Sequence, residues 1–162
     1  MNDNDISWSA INTDGKACVM LLQKHTQLRQ KNILIIGAGG TASGIIEALS
    51  EYNLNVFIYN RTIDNATRLA KTFNCSTVTH LEKCDLQFDI IISTVPPEAY
   101  QQSTIIQHLN NNLRKSSILM DVNYHNDEPP LKQLAHLRHA TFIHGKALFK
   151  QQAYLQQEYW QG

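Results

Sequence analysis

The sequence predicts an α/β protein: a doubly wound parallel sheet with helices on both faces. Three observations lead there. Short apolar runs recur along the chain, ILII (33–36), VFIY (56–59), DIIISTV (89–95) and SSILMDV (116–122), each strand-length and apolar over most of its positions, as strands buried on both faces must be. Between them lie segments with apolar residues at helical spacing, so strand and helix alternate from Asn32 to the C-terminus. The first apolar run also ends directly in a glycine-rich turn that opens a helix, the arrangement of a Rossmann-like fold.

Each element follows from its residues. Asn12-Thr13-Asp14 supplies side-chain oxygens able to accept orphan N–H groups, and Ala17, Val19, Met20, Leu21 and Leu22 follow, so a helix is expected from there to about Arg29. ILIIG is the first strand, and a helix follows from Ala42 to Ser50. Val56 to Tyr59 forms the second strand, and Ala66, Leu69, Ala70 and Phe73 space a helix over 64–73. The strand at 89–95 is stopped by Pro96-Pro97, with a helix from about Tyr100 to Leu109. Ser117 to Val122 is a strand, Pro130 to Leu137 a short helix, Ala140 to Ile143 the final strand and Ala147 to Trp160 the closing helix.

Composition narrows the function. The 162 residues are 43% hydrophobic, enough for one core but short for two. Lysine plus arginine equals aspartate plus glutamate at 14 each, so no net field draws the chain to nucleic acid or to an anionic membrane. MNDNDISW lacks a basic segment followed by an apolar run, and no apolar stretch approaches a membrane span, so a cytoplasmic protein is expected. Cys18, Cys75 and Cys84 show no CxxC spacing and read as reduced thiols. No histidine pair forms HExxH, and His136 with His139 makes only HxxH, so no metal is expected.

Gly37-Ala38-Gly39-Gly40-Thr41-Ala42 satisfies GxGxxA between strand and helix. Gly37 allows the tight turn, Gly39 lets a pyrophosphate approach the backbone, Ala42 lets helix and strand pack closely, and the helix N-terminus offers free N–H groups. Any tight strand-to-helix turn can use glycines; the apolar strand in front is what points to a dinucleotide. About 20 residues on, where an acid would grip the ribose of NAD, the chain reads Asn60-Arg61-Thr62. A guanidinium there takes a 2′-phosphate that an acid would repel, so NADP is expected rather than NAD, with Asp64 tempering the positive charge.

The ordered set NTDG (12–15), GAGGTA (37–42), NRT (60–62), STVPP (93–97), DVNY (121–124) and HGKALFKQQA (144–153) resembles the NADP-binding half of the shikimate dehydrogenase family over nearly the whole chain. Glutamyl-tRNA reductases share a glycine turn and an NRT-like strand end; NTDG and the closing Gly-to-Gln helix ending in a tryptophan separate the two. The resemblance implies NADP-dependent interconversion of 3-dehydroshikimate and shikimate, a step of aromatic amino acid biosynthesis, in a cleft between two domains. It makes Asp14 the catalytic aspartate that pairs with a lysine, and Asn12, Thr13, Tyr124 and Gln152 substrate residues. It places Thr94, Val95, Val122 and Gly145 at the nicotinamide end of the cofactor site. On residue chemistry alone, Asn12-Thr13-Asp14 is a helix cap, Tyr124 a packed aromatic and Gln152 a surface amide.

The departures are informative. The family's lysine motif has no counterpart here, and Lys16, Lys24 and Lys31 do not match it. Residues 1–12, with alternating Ile6, Trp8 and Ala10, read as the remnant of an inter-domain strand, and 13–162 as the dinucleotide-binding domain closed by its C-terminal helix. The second basic residue expected after NRT is Asn65, and Ala147 and Leu148 replace a glycine and a methionine, which weakens NADP affinity and discrimination against NAD. Two readings follow: half of a shikimate dehydrogenase whose substrate domain is supplied elsewhere, or a stand-alone dinucleotide-binding module acting as a sensor or partner protein. Faces around Trp8 and the closing helix offer a route to a homo-oligomer.

Overall fold

A computed structural model describes residues 12–101 and 104–161. The apolar runs form β1 (Asn32–Ile36), β2 (Asn55–Tyr59), β4 (Phe88–Ser93), β5 (Leu113–Asp121) and β6 (Thr141–His144), with a two-residue β3 (Ser76–Thr77) at one edge. All pair in parallel, in the order β3-β2-β1-β4-β5-β6. The helices are α1 (Thr13–Gln23), α2 (Gly40–Leu49), α3 (Ile63–Phe73), α4 (Glu98–Gln101), α5 (Ile105–Leu109), α6 (Pro130–Leu137) and α7 (Gly145–Gln161).

The period of two along each strand divides the core. Ile33, Ile35, Ile90, Ile92, Ile118 and Met120 point to the layer of α1, α2, α3 and α7. Leu34, Ile36, Ile91 and Leu119 point to the layer of α4, α5 and α6, and Phe88 joins them because the pairing of β4 slips between Phe88 and Ile90. Because the chain leaves β1 towards β2 and later returns to place β4 on the other side of β1, the strand order reverses between β1 and β4. That switch point opens a crevice at the carboxyl ends of the strands, where open α/β sheets hold ligands.

Two glycines set the outer layer. A Cβ on Gly15 would lie 2.2 Å from the Gly44 carbonyl oxygen, so α1 crosses α2 at backbone contact. A Cβ on Gly44 would in turn meet the Asn12 side chain. No described helix is long and apolar enough to cross a membrane. The cysteines are free thiols, and burial pushes Cys18 up to about 12.

The strand expected over 89–95 ends at Ser93 and the closing helix begins at Gly145 rather than Ala147; four larger differences stand out. α1 ends at Gln23 rather than near Arg29: no apolar residue follows Leu22 until Leu28, and the chain turns away with His25 N and Thr26 N both donating to Leu22 O. The helix expected over 100–109 is two short ones, since Thr104 starts α5 as its N-cap. β3 was not expected, being only two residues paired to Phe57 and Ile58. β5 begins at Leu113, through exposed Arg114, Lys115 and Ser116, and its pairing with β4 slips between Phe88 and Ile90. Of the strand remnant expected over residues 1–12, residues 1–11, Trp8 among them, lie outside the described residues, and Asn12 is the N-cap of α1.

Candidate functional site

The glycine turn sits at the switch point. Gly37 has φ +113°, where only glycine is comfortable, and a Cβ there would lie 2.2 Å from Thr94 Oγ1. Its N–H donates to Tyr59 O at 2.8 Å, while Thr94 donates to Ile36 O from both N (2.8 Å) and Oγ1 (3.0 Å), so the ends of β1, β2 and β4 are locked together. Ala38 and Thr41 are half-buried, and Ala42 is buried under α2. Gly39 and Gly40 behave oppositely: a Cβ on either would meet nothing within 4 Å. Gly39 is also the N-cap of α2 and brings no side-chain cap, which leaves the first N–H groups of that helix free. Open space at two glycines in front of free N–H groups and a positive helix end fits a pyrophosphate.

Beside the turn, a cleft of about 480 Å³ is lined by Tyr59, Asn60, Arg61, Thr62, Asn65 and Val95 together with Glu98. Arg61 is exposed and makes no hydrogen bond or ion pair among the described residues. Asn60 donates from Nδ2 to Thr62 O (2.8 Å), fixing the turn into α3. Burial, with the negative charge of Glu82, pushes the Tyr59 phenol up, so it remains a donor at neutral pH. A wider groove of about 780 Å³ runs between α1 and α2 but shares only Asn12 with the expected site.

At the ends of β4, β5 and β6 a hydrogen-bonded hub appears. Buried Asp121 accepts from Asn123 N (3.0 Å) and Nδ2 (2.8 Å), and Asn123 Nδ2 also donates to Val95 O (2.6 Å). Val122 N donates to Ser93 O at 3.0 Å, and a Cβ on Gly145 would lie 2.3 Å from Asn123 O. Burial raises the Asp121 carboxyl above its ordinary value, against the Asn123 hydrogen bonds and nearby His144, and its Oδ2 has no partner among the described residues. Thr94, Val95, Val122 and Gly145 are thus brought together by Asp121 and Asn123, neither of which was singled out from the sequence. The signal was there: a carboxylate closing the apolar run ILM, two residues before an asparagine.

The expected substrate residues divide. Asn12 caps α1, its Oδ1 accepting from Asp14 N at 3.0 Å. Gln152 on α7 donates from Nε2 to Asp14 Oδ1, and Gln156 donates to buried Thr13 Oγ1 at 3.4 Å. Asn12, Thr13, Asp14 and Gln152 therefore form one corner between α1 and α7. Tyr124 is 41% exposed and stacks on His125 and Phe149 instead.

Sheet order, parallel pairing and a glycine turn at the switch point define a Rossmann-type α/β domain. The chain belongs to the shikimate/quinate 5-dehydrogenase family, whose model matches residues 20–141. A shikimate dehydrogenase (NADP(+)) from an Exiguobacterium species is 36% identical over 151 residues, covering 93% of this chain and 56% of that relative. The crystal structure of shikimate dehydrogenase from Aquifex aeolicus matches with a TM-score of 0.76 at 26% identity, covering 87% of this chain and 52% of that one. A shikimate dehydrogenase crystallised in complex with NADP+ matches with a TM-score of 0.70 at 29% identity, covering 87% and 53%. The chain spans about half the length of these relatives.

Proposed function

We propose that this chain is the NADP-binding half of a shikimate dehydrogenase. The observation that carries the reading is the open space over Gly39 and Gly40 at the uncapped start of α2, beside a cleft whose one cationic lining residue among the described residues is Arg61. The names of the relatives, shikimate dehydrogenase (NADP(+)) among them, support the choice of cofactor.

In this reading residues 13–162 form the dinucleotide-binding domain closed by α7, and 1–12 are the remnant of an inter-domain strand. The turn 37–42 holds the pyrophosphate on backbone N–H groups, and Arg61 takes the 2′-phosphate by charge-assisted hydrogen bonds, with Thr62 beside it and Asn60 shaping the turn. Thr94, Val95, Val122 and Gly145 wall the nicotinamide end, which supplies or accepts a hydride when the cofactor is bound. Asp14, held by Gln152, faces the reacting hydroxyl of shikimate, with Asn12, Thr13 and Tyr124 completing this chain's share of the substrate surface. The lysine that pairs with Asp14 and the opposite wall of the cleft belong, in this reading, to a substrate domain outside residues 1–162.

A positioned general base contributes about 10² to 10⁴ in rate, and orientation of the two reactants contributes more. The isolated chain is therefore expected to bind NADP but to give no shikimate-dependent NADPH signal at ordinary dehydrogenase rates. Adding a separately produced substrate domain should restore turnover, and Asp14→Ala should abolish it. Full activity from the isolated chain, or NADP binding with no rescue by any substrate domain, would defeat the half-enzyme reading, the latter in favour of a stand-alone module.

A further inference from the structure

Three elements meet at half-buried Asn123. Its Nδ2 donates to Val95 O at 2.6 Å, just beyond the end of β4, and to Oδ1 of Asp121, the last residue of β5, at 2.8 Å. Its backbone N donates to the same Asp121 Oδ1 at 3.0 Å. Its own carbonyl lies against buried Gly145, the first residue of α7, where a Cβ would come within 2.3 Å of it and within 2.5 Å of Val122 O. A backbone carbonyl and a carboxylate both only accept, so the nitrogen of the Asn123 amide, and not its oxygen, must face Val95, and both its hydrogens are spent. Val95 has few other ties. β4 ends at Ser93, Pro96 and Pro97 carry no N–H, and their carbonyls accept from Ala99 N (3.0 Å) and Tyr100 N (3.1 Å) within the turn into α4. The bond that reaches Val95 O from across the sheet is the one from Asn123.

We propose that Asn123 is a positioning residue for the nicotinamide half of the dinucleotide: its amide clamps the Val95 segment to Val122 and Gly145, and Asp121 fixes which end of the amide does so. The inference rests on the NADP-binding reading and adds to it a residue that acts through the wall of the site. Without the clamp, the sheet and the bond from Val122 N to Ser93 O (3.0 Å) still join the strand ends, and the Val95 segment beyond them is released. The adenosine half, seated on the glycine turn and Arg61, keeps its contacts.

The test is calorimetric titration of the intact chain with NADP and with 2′-phospho-ADP-ribose, the same molecule without its nicotinamide, for the unaltered protein and for Asn123→Ala, Asn123→Asp, Asp121→Ala and Asp121→Asn, with a thermal melt of each. Asn123→Ala should weaken NADP binding about two- to tenfold, the range of one ordinary hydrogen bond, and leave 2′-phospho-ADP-ribose unchanged. Asn123→Asp, similar in shape but presenting an oxygen to Val95 O, should lose at least as much. Asp121→Ala should reproduce the loss, and Asp121→Asn, whose side-chain oxygen still accepts, should regain most of it. A role confined to stability would lower the melting temperature and move the two ligands together. Equal changes for the two ligands, or unchanged NADP affinity in folded Asn123→Ala and Asn123→Asp chains, would overturn the proposal. If the unaltered chain binds neither ligand, the NADP reading falls and the proposal with it; that outcome is distinct from a chain that binds both and is indifferent to Asn123.

Discussion

The glycine turn and the Asp14 corner are built by different means. The turn is almost all backbone: Gly37 is locked by Tyr59 O and Thr94, and Gly39 and Gly40 contribute space rather than groups. The corner is all side chains, with Asp14 held by Gln152 and Thr13 by Gln156, while Tyr124, Phe149, Tyr154 and Trp160 nearby in the sequence of the closing elements are exposed. Backbone geometry comes with the fold and needs no partner. A side-chain corner held by single hydrogen bonds has its chemistry set by what faces it. Under the proposed function, cofactor recognition rests on the backbone turn and turnover on the groups that face the corner.

The largest effect is expected where the corner leans on backbone. Gly15→Ala puts a Cβ 2.2 Å from the Gly44 carbonyl, which cannot move without shifting α2, and should cost about 1 to 3 kcal/mol or more, lowering the melting temperature by several degrees. Gly44→Ala meets the tip of Asn12, a side chain able to swing aside, and should cost clearly less. Equal melting temperatures for the two variants would show that Asn12 is as fixed as backbone.

Arg61→Ala sharpens the turn side of the comparison. It removes a charge-assisted contact of about 1.5 to 3 kcal/mol, hence about ten- to a hundredfold in NADP affinity, and should leave NAD almost unchanged. Titration of both cofactors decides it; equal losses would mean that Arg61 does not read the 2′-phosphate.

A smaller effect is expected at the hub joining the two regions. Burial raises the Asp121 carboxyl in the folded chain, so the folded state holds its proton more tightly than the unfolded state. Stability from this group is present below the unfolded value near 3.9 and is lost as pH rises through the raised folded value. Asp121→Asn keeps an acceptor for the Asn123 donors and removes the ionisation. Its stability relative to the unaltered chain should therefore improve as pH rises from about 3 towards neutrality. Denaturant melts across that range check the sign, and a difference that ran the other way would mean that the hydrogen bonds from Asn123 outweigh burial.

Regular alternation and the glycine turn were legible because both are local. ILII, DIII and SILM announce strands buried on two faces, and GAGGTA announces its own geometry within six residues. What escaped depends on contacts across the fold. Nothing near Gly15 tells that Gly44 lies against it, and β3 exists only because Ser76 and Thr77 reach Phe57 and Ile58. Thr94 is placed at the nicotinamide end by resemblance, but that its hydroxyl donates to Ile36 O, 58 residues away, shows only in the fold. Asn123 is held by Val95, 28 residues away. The α1 boundary failed for a local reason: capping residues mark a start, but after Leu22 no glycine or proline marks the stop, and only the lapse in apolar spacing does.

Under the proposed function, the open space over Gly39 is the seat of the dinucleotide pyrophosphate. Gly39 has φ −95°, which any residue adopts, and a Cβ there meets nothing, so Gly39→Ala should fold with a stability loss of about 1 kcal/mol or less, the difference between glycine and alanine at an N-cap. The measurement is the affinity of the purified Gly39→Ala chain for NADP and for NAD, beside its melting temperature. The account predicts a near-normal melt and a loss of about tenfold or more for both cofactors alike, in contrast to the NADP-only loss of Arg61→Ala. Unchanged NADP affinity in a normally folded Gly39→Ala chain would contradict it.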